Sequence, residues 1–200
     1  MRRRRPYLIT GIAAPVFALT VSISTSSAAA ALDLAELGRM FGAVGESRVE
    51  FREQRFIAAV TAPIERSGTL VYVRPGRLEM NVASPVVEHL TIADGTLTIA
   101  SRGTTKSIRL SAQPALLGWS ESLRATLSGD VASLRAHFDL RLTGTSHAWA
   151  LELAPRDAQL RAWVSGVFIE GSGVAIRRIE TREPGGDRSV MMLAPVVQRR

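Results

Sequence analysis

Three histidines, His89, His137 and His147, are the residues best suited to move protons or hold a metal near neutral pH. They stand far apart in the chain. His89 and His137 fall on the polar positions of alternating runs, so both read as solvent-facing side chains. Glu50 and Glu53 are close enough to work as a general acid and base. A spacing of three puts them on opposite faces of an extended strand, which predicts one carboxylate toward solvent and one toward the interior. Gly171-Ser172-Gly173 lacks the third glycine of a dinucleotide fingerprint, and G-x-S-x-G, H-E-x-x-H and P-loop patterns are all missing. The chain has no cysteine, which excludes disulfides, a thiol nucleophile, a Cys-ligated metal and a lipid-modified N-terminal cysteine. Trp119, Trp149 and Trp163 have no basic cluster beside them, as stacking on nucleic acid requires. The expectation is no catalytic residue, no metal and no cofactor: a protein that is not an enzyme.

One residue stays conspicuous. Arg74 places a guanidinium at the end of the apolar run Leu70-Val71-Tyr72-Val73, directly before Pro75. The elements around it define the setting. Leu34, Leu37, Phe41 and Val44 recur at three- and four-residue spacing, which predicts one helix stopping at Gly45. The period then falls to two. Strands are expected at Val49–Phe56, Leu70–Val73, Leu78–Val82, Val86–Ile92, Leu97–Ile99 and Ile108–Leu110. Arg74-Pro75-Gly76, Ser84-Pro85, Asp94-Gly95 and Arg102-Gly103 supply the turns between them.

From Pro114 the spacing becomes helical again, with Leu116, Leu117, Trp119, Leu123 and Leu127 in phase. Asp130 is placed to cap a second short helix. Strands resume at Phe138–Leu142, Trp149–Leu153, Val167–Ile169, Val174–Ile176 and Ser189–Leu193, and "EPGGDRS" closes the last hairpin. The fold class is therefore mainly β (α+β): an antiparallel sheet of about 11 strands with an N-terminal helix and a helical insertion. Val71-Tyr72-Val73 and Val86-Val87 are apolar on both strand faces, an excess over a one-sided sheet. A curved sheet with an amphipathic insertion can enclose an apolar cavity, and a plain packed core explains the same pattern.

The N-terminus places this domain. Met1 is followed by Arg2-Arg3-Arg4-Arg5, an apolar run from Tyr7 to about Ile23, and Ala28 and Ala30 at the small-residue positions of a cleavage site. Residues 1–30 are expected to be a secretory signal, with the mature domain spanning residues 31–200. Arg4-Arg5-Pro6-Tyr7-Leu8 also resembles a twin-arginine signal; without a cofactor motif, the general secretory route is favoured. The four arginines supply four of the seven net positive charges, and what remains is too mild for nucleic acid. It allows weak attraction to an anionic membrane surface. About 170 residues bury roughly 70% of the unfolded surface, enough without disulfides.

"SGTLVYVRPGRLEMNVASPVVEHLTIADG", with "VEFREQRF" before it and the helical insertion after it, resembles the LolA family of periplasmic lipoprotein carriers. In that family a strand ending in Arg-Pro is followed by a second strand, a proline and a strand ending in Asp-Gly. Here those are Arg74-Pro75, Pro85 and Asp94-Gly95, and the element order agrees over nearly the whole mature chain. The resemblance implies a half-open β-barrel capped by helices, with an apolar cavity for the acyl chains of a lipoprotein in transit. It implies that Arg74, with Pro75, latches a lid running from Pro114 to about Leu134 in the empty form. From strand alternation, the expected cavity and lid residues are Phe51, Leu70, Tyr72, Leu78, Met80, Val82, Leu90, Ile92, Leu97, Ile99, Leu116, Leu117, Trp119, Leu123, Leu127 and Trp149. The family usually carries aromatics where this chain has Leu78, Met80, Leu97 and Ile99, so a divergent member is expected.

The function this implies is a monomeric carrier in the periplasm of a Gram-negative bacterium. It would take lipoprotein or lipid acyl chains from an inner-membrane exporter to an outer-membrane acceptor. One alternative is a carrier for the dedicated lipid or lipid-linked product of a specialised exporter. A second is a lipid-sensing regulatory module; such regulators carry a second domain, which a chain ending at Arg200 is expected to lack. An outer-membrane acceptor of the same fold would need the missing cysteine, and a lipid-acting enzyme would need the missing nucleophile and base.

Overall fold

The computed structural model describes residues 30–112 and 114–196; the expected signal lies outside them but for its last residue. Helix α1 (Leu34–Gly42) starts at Asp33, whose carboxylate accepts the Glu36 amide at 2.7 Å, and it buries Leu37 and Phe41. The chain leaves the helix at Ala43, slightly before Gly45. Six strands follow: β1 (Glu46–Phe56), β2 (Ile64–Val73), β3 (Arg77–Ser84), β4 (Glu88–Ala93), β5 (Thr96–Ser101) and β6 (Thr104–Arg109). A 3-10 turn holding Leu110 leads into α2 (Pro114–Ser128) and α3 (Val131–His137). Then come β7 (Phe138–Thr145), β8 (Ala148–Pro155), the short helix α4 (Ala158–Arg161), β9 (Gly166–Ser172), β10 (Ala175–Arg182) and β11 (Arg188–Pro195).

All 11 strands form one antiparallel sheet in the order β6-β5-β4-β3-β2-β1-β11-β10-β9-β8-β7. β6 and β7 are neighbours among the strands of the chain yet form opposite edges, so the sheet stays open. The connection between them is α2 with α3, and this places α2 over the inner face. Alternation fixes that face. Phe51, Leu70, Tyr72, Leu78, Met80 and Val82 point inward from one side, and Trp149, Leu151, Leu153, Val167 and Ile169 from the other. Phe51 and Leu153 are 1% and 0% exposed. Gly171 is required where it stands: a β-carbon there would lie 2.2 Å from the Trp149 ring. That ring meets Phe41 edge-on at 5.8 Å and donates its Nε1–H to the Gly173 carbonyl at 2.9 Å, which ties α1 to the sheet.

Several expectations are corrected. Val86 and Val87 lie in the turn before β4, with Val87 60% exposed, because Pro85 has no N–H to donate to a ladder. The excess of apolar positions is therefore confined to Val71-Tyr72-Val73, where Val71 and Tyr72 are both buried. Val174 occupies the exposed β9–β10 turn. His137 ends α3 and does not sit on a strand, although it is exposed as expected. Helix α4, capped by Asp157, carries too few residues to show a helical period. The expected cap at Asp130 is present, with its carboxylate accepting the Ser133 amide at 2.9 Å.

Candidate functional site

Two cavities lie between α2 and the inner face of the sheet. The larger, about 370 Å³, has a floor of Leu70, Met80, Val167, Ile169, Ile179 and Met191, with Leu123 of α2 above. The smaller, about 90 Å³, lies toward the β9–β10 turn and is bounded by Val49, Leu70, Tyr72, Leu193 and two α2 residues, Leu123 and Leu127. Leu70, Leu123 and Ile179 border both, so the two spaces are adjacent. The larger falls in the range of ordinary small-ligand pockets, and its predominantly apolar lining suits hydrocarbon.

The expected cavity and lid residues divide into groups. Leu70, Tyr72, Met80, Leu123 and Leu127 border these spaces. Phe51, Leu78, Val82 and Trp149 are packed into the buried core, and Leu90 and Ile92 lie half-buried against it. Leu97 is buried and Ile99 half-buried at the far side of the sheet. Leu117 is half-buried on α2, and the side chains of Leu116 and Trp119 lie outside the described residues. Sequence reasoning passed over the wall formed by β9, β10 and β11. Val167 and Ile169, like Met191 and Leu193, show the period of two and could have been read. Ile176 and Ile179 could not: a bulge between Ile176 and Arg178 inserts an extra residue, so two isoleucines three apart both face inward.

The C-terminal half of α2 is tied to the β2–β3 turn. Arg74 is exposed, its backbone N–H donates to Gly45 O at 3.0 Å, and its Nη2 donates to the Ser128 carbonyl at 2.8 Å. Ser128 is the last residue of α2, where carbonyls lack helical partners and the dipole favours a cation. Gly129 then turns the chain at φ +73°, and a β-carbon there would meet Gly38 O of α1 at 2.0 Å. Pro75 lies beside the Arg74 contact, in a shallow depression shared with Arg124, Ser128 and Asp130. Arg124, unnoticed in the sequence, packs its stem over Gly76 of the same turn, where a β-carbon would lie 2.9 Å from its Cδ, and pairs its guanidinium with Glu121 and Asp130. A hydrogen bond to Glu121 holds the Arg124 guanidinium above its usual range. Hydrogen bonds from the Ser133 hydroxyl and amide hold the Asp130 carboxyl below its own.

The opposite end of the larger cavity is polar. The Glu53 carboxylate accepts from Arg66 Nε at 3.0 Å and from the Ser189 hydroxyl at 2.6 Å, and Arg55 pairs with Glu183 at 3.0 Å. Trp163, 62% exposed, stands at this rim. Glu50 is exposed and Glu53 faces inward, so the two do not meet. His89 bonds Asn81 at 2.8 Å on the outer face, and no group of potential metal ligands forms among the described residues. No helix among the described residues is long and apolar enough to cross a membrane. The cavity lining is predominantly apolar, and Glu50 and Glu53 form no acid–base pair.

Residues 26–199 match the family described as outer membrane lipoprotein carrier protein LolA-like. No curated protein matches the chain. Among solved structures it is similar to a LolA superfamily protein from Nitrosomonas europaea, at 12% identity and a TM-score of 0.42, over 84% of this chain and 93% of that one. It is similar to a DUF1329 family protein from Desulfovibrio piger, at 11% identity and a TM-score of 0.42, over 84% and 92%. A chain of the Pseudomonas aeruginosa MucA/MucB complex is also similar, at 14% identity and a TM-score of 0.37, over 82% of this chain and 56% of that one.

Proposed function

The chain belongs to the LolA-like family of outer membrane lipoprotein carrier proteins, and from that premise we propose that it carries acyl chains in the apolar space between its sheet and α2. The observation that carries the reading is that space itself, about 370 Å³ under a helix whose C-terminus is held by one exposed arginine. Transport needs no covalent step. Each CH₂ taken from water contributes about 0.8 kcal/mol, offset by lifting α2 from the sheet. Arg74 acts as the latch: a single hydrogen bond at the surface is worth on the order of 1 kcal/mol, which a few methylenes of cargo outweigh. With α2 displaced, Leu78, Val82, Leu90, Ile92, Leu97 and Ile99 extend the wall available to cargo.

In this reading residues 1–30 direct export and are removed, and the mature domain works as a monomer in the periplasm. It receives a lipoprotein or lipid at the inner membrane and gives it to an outer-membrane acceptor. A second reading, transport of the dedicated lipid of a specialised exporter, is favoured by the aliphatic side chains at Leu78, Met80, Leu97 and Ile99. Methionine adapts to varied ligand shapes, and Met80 and Met191 both border the cavity. Native mass spectrometry of the protein purified from its periplasm, followed by extraction of bound molecules, tests both. Acylated protein supports the first reading and a free lipid the second. A clean unliganded mass, with no uptake of a fluorescent acyl probe, overturns the carrier function.

A further inference from the structure

Tyr72 lies under α2, 2% exposed, and its hydroxyl is the buried side-chain polar atom left without a hydrogen-bond partner among the described residues. A buried phenol normally finds a partner, because a desolvated donor gains nothing from an apolar lining, and phenylalanine would fill the same volume without that cost. Tyr72 borders the smaller cavity, whose volume of about 90 Å³ leaves room for a functional group and little more. Ser47 sits directly across the strand pair from it and borders the same cavity. The Ser47 hydroxyl also makes no hydrogen bond within the described residues, so two residues with unpartnered hydroxyls border a space whose lining is otherwise mostly apolar, with Arg177 as its charged residue.

We propose that this hydroxyl pair is a subsite for the carbonyl of an acyl ligand, with Tyr72 donating to the carbonyl oxygen while the hydrocarbon runs on into the larger cavity. The inference deepens the carrier reading and rests on it. The volumes favour this orientation, since the small space takes the carbonyl and its neighbouring atoms and the large one takes methylenes. A neutral carbonyl suits the Tyr72 hydroxyl better than an ionised carboxylate: Arg124, which feels Tyr72 electrostatically, is already paired with Glu121 and Asp130, and Arg177, the cation in the cavity's lining, is exposed to solvent. A neutral ester or amide carbonyl needs one donor and no counter-charge, which is what Tyr72 offers. Tyr72 thereby becomes a specificity residue that tells an acyl chain from plain hydrocarbon.

The test compares the mature protein with Tyr72→Phe, using displacement of a bound fluorescent acyl probe by methyl hexadecanoate and by heptadecane, which differ at the ester. Wild type is expected to favour the ester relative to the hydrocarbon, and Tyr72→Phe to lose about five- to tenfold in ester affinity with the hydrocarbon unchanged. Because the hydroxyl has no partner among the described residues, Tyr72→Phe is expected to melt at or above the wild-type temperature. Equal ester affinity in the two proteins overturns the subsite. So does a lower melting temperature for the variant, which would mean that buried water or the protein already satisfies the phenol. Failure of the wild type to take up the fluorescent probe at all overturns the carrier reading instead, so the two failures are distinct.

Discussion

The two flanks of the sheet follow the same alternation and bury their inner faces to different depths. On the β7–β11 flank, Leu151, Leu153, Val167 and Ile169 are buried almost completely, held by α1 through Trp149 and capped by α4. On the β4–β6 flank, Leu90, Ile92, Ile99 and Ile108 stay half-exposed, and β6 carries mostly polar residues. Strand pairing is continuous across both, so backbone hydrogen bonding does not make the difference. What differs is the cover. The first flank is held under cover, with Val167 and Ile169 also bordering the larger cavity; the second leaves its apolar surface incompletely buried.

The comparison breaks most directly at its extremes. Leu153→Ala, in the fully buried flank, is expected to lose about 3–4 kcal/mol of unfolding free energy. Ile99→Ala, in the half-exposed flank, is expected to lose less than about 1.5 kcal/mol, since less apolar area returns to water. Urea denaturation measures both; equal losses would mean that the two flanks are packed alike.

A second test concerns acid. On the outer side of β10, Glu180 is 3% exposed, clamped by Arg178 and by Arg182, whose Nε lies 2.6 Å away. Burial alone would push this carboxyl up; hydrogen bonds from Arg182 and Arg178 outweigh it and hold the group below its ordinary range. A depressed folded-state value means that the clamp stabilises the protein above the ordinary carboxylate range. That contribution fades as pH falls through this range toward the lower folded-state value. Glu180→Gln is expected to cost about 1–3 kcal/mol at neutral pH and to flatten the acid limb of a stability–pH profile. An unchanged acid limb would remove Glu180 from the account of why this flank is rigid.

The smallest energetic effect bears most on function. Arg74→Leu is expected to cost at most about 1 kcal/mol, the value of one exposed hydrogen bond. Amides in the C-terminal half of α2 should nevertheless exchange faster, and transfer of a bound acyl probe should change. Wild-type exchange together with wild-type transfer would make Arg74 an ordinary surface arginine.

Much of this was legible before any coordinates. The Asp-Gly at Asp94-Gly95, the cap at Asp130 and the period-two runs each act within a few residues, so local sequence marks them. Alternation also placed Leu70, Tyr72 and Met80 on the inner face, because a strand has only two faces. The β9–β11 wall escaped where the bulge at Ile176 broke the period, and Arg124 escaped because the Gly76 turn on which its stem packs is distant in the chain.

The sequence by itself determined the absence of thiol chemistry and the face of nearly every strand residue. It contains no thiol and no nucleophile–base motif, and its alternation commits each side chain to inside or outside. The tertiary structure alone decided which inward residues are packed, which border a cavity and what holds α2 down. Ser128 lies 54 residues from Arg74, and the unpartnered hydroxyl of Tyr72 becomes apparent once a helix has covered it. A period of two encodes direction; cover depends on an element brought in from elsewhere in the chain.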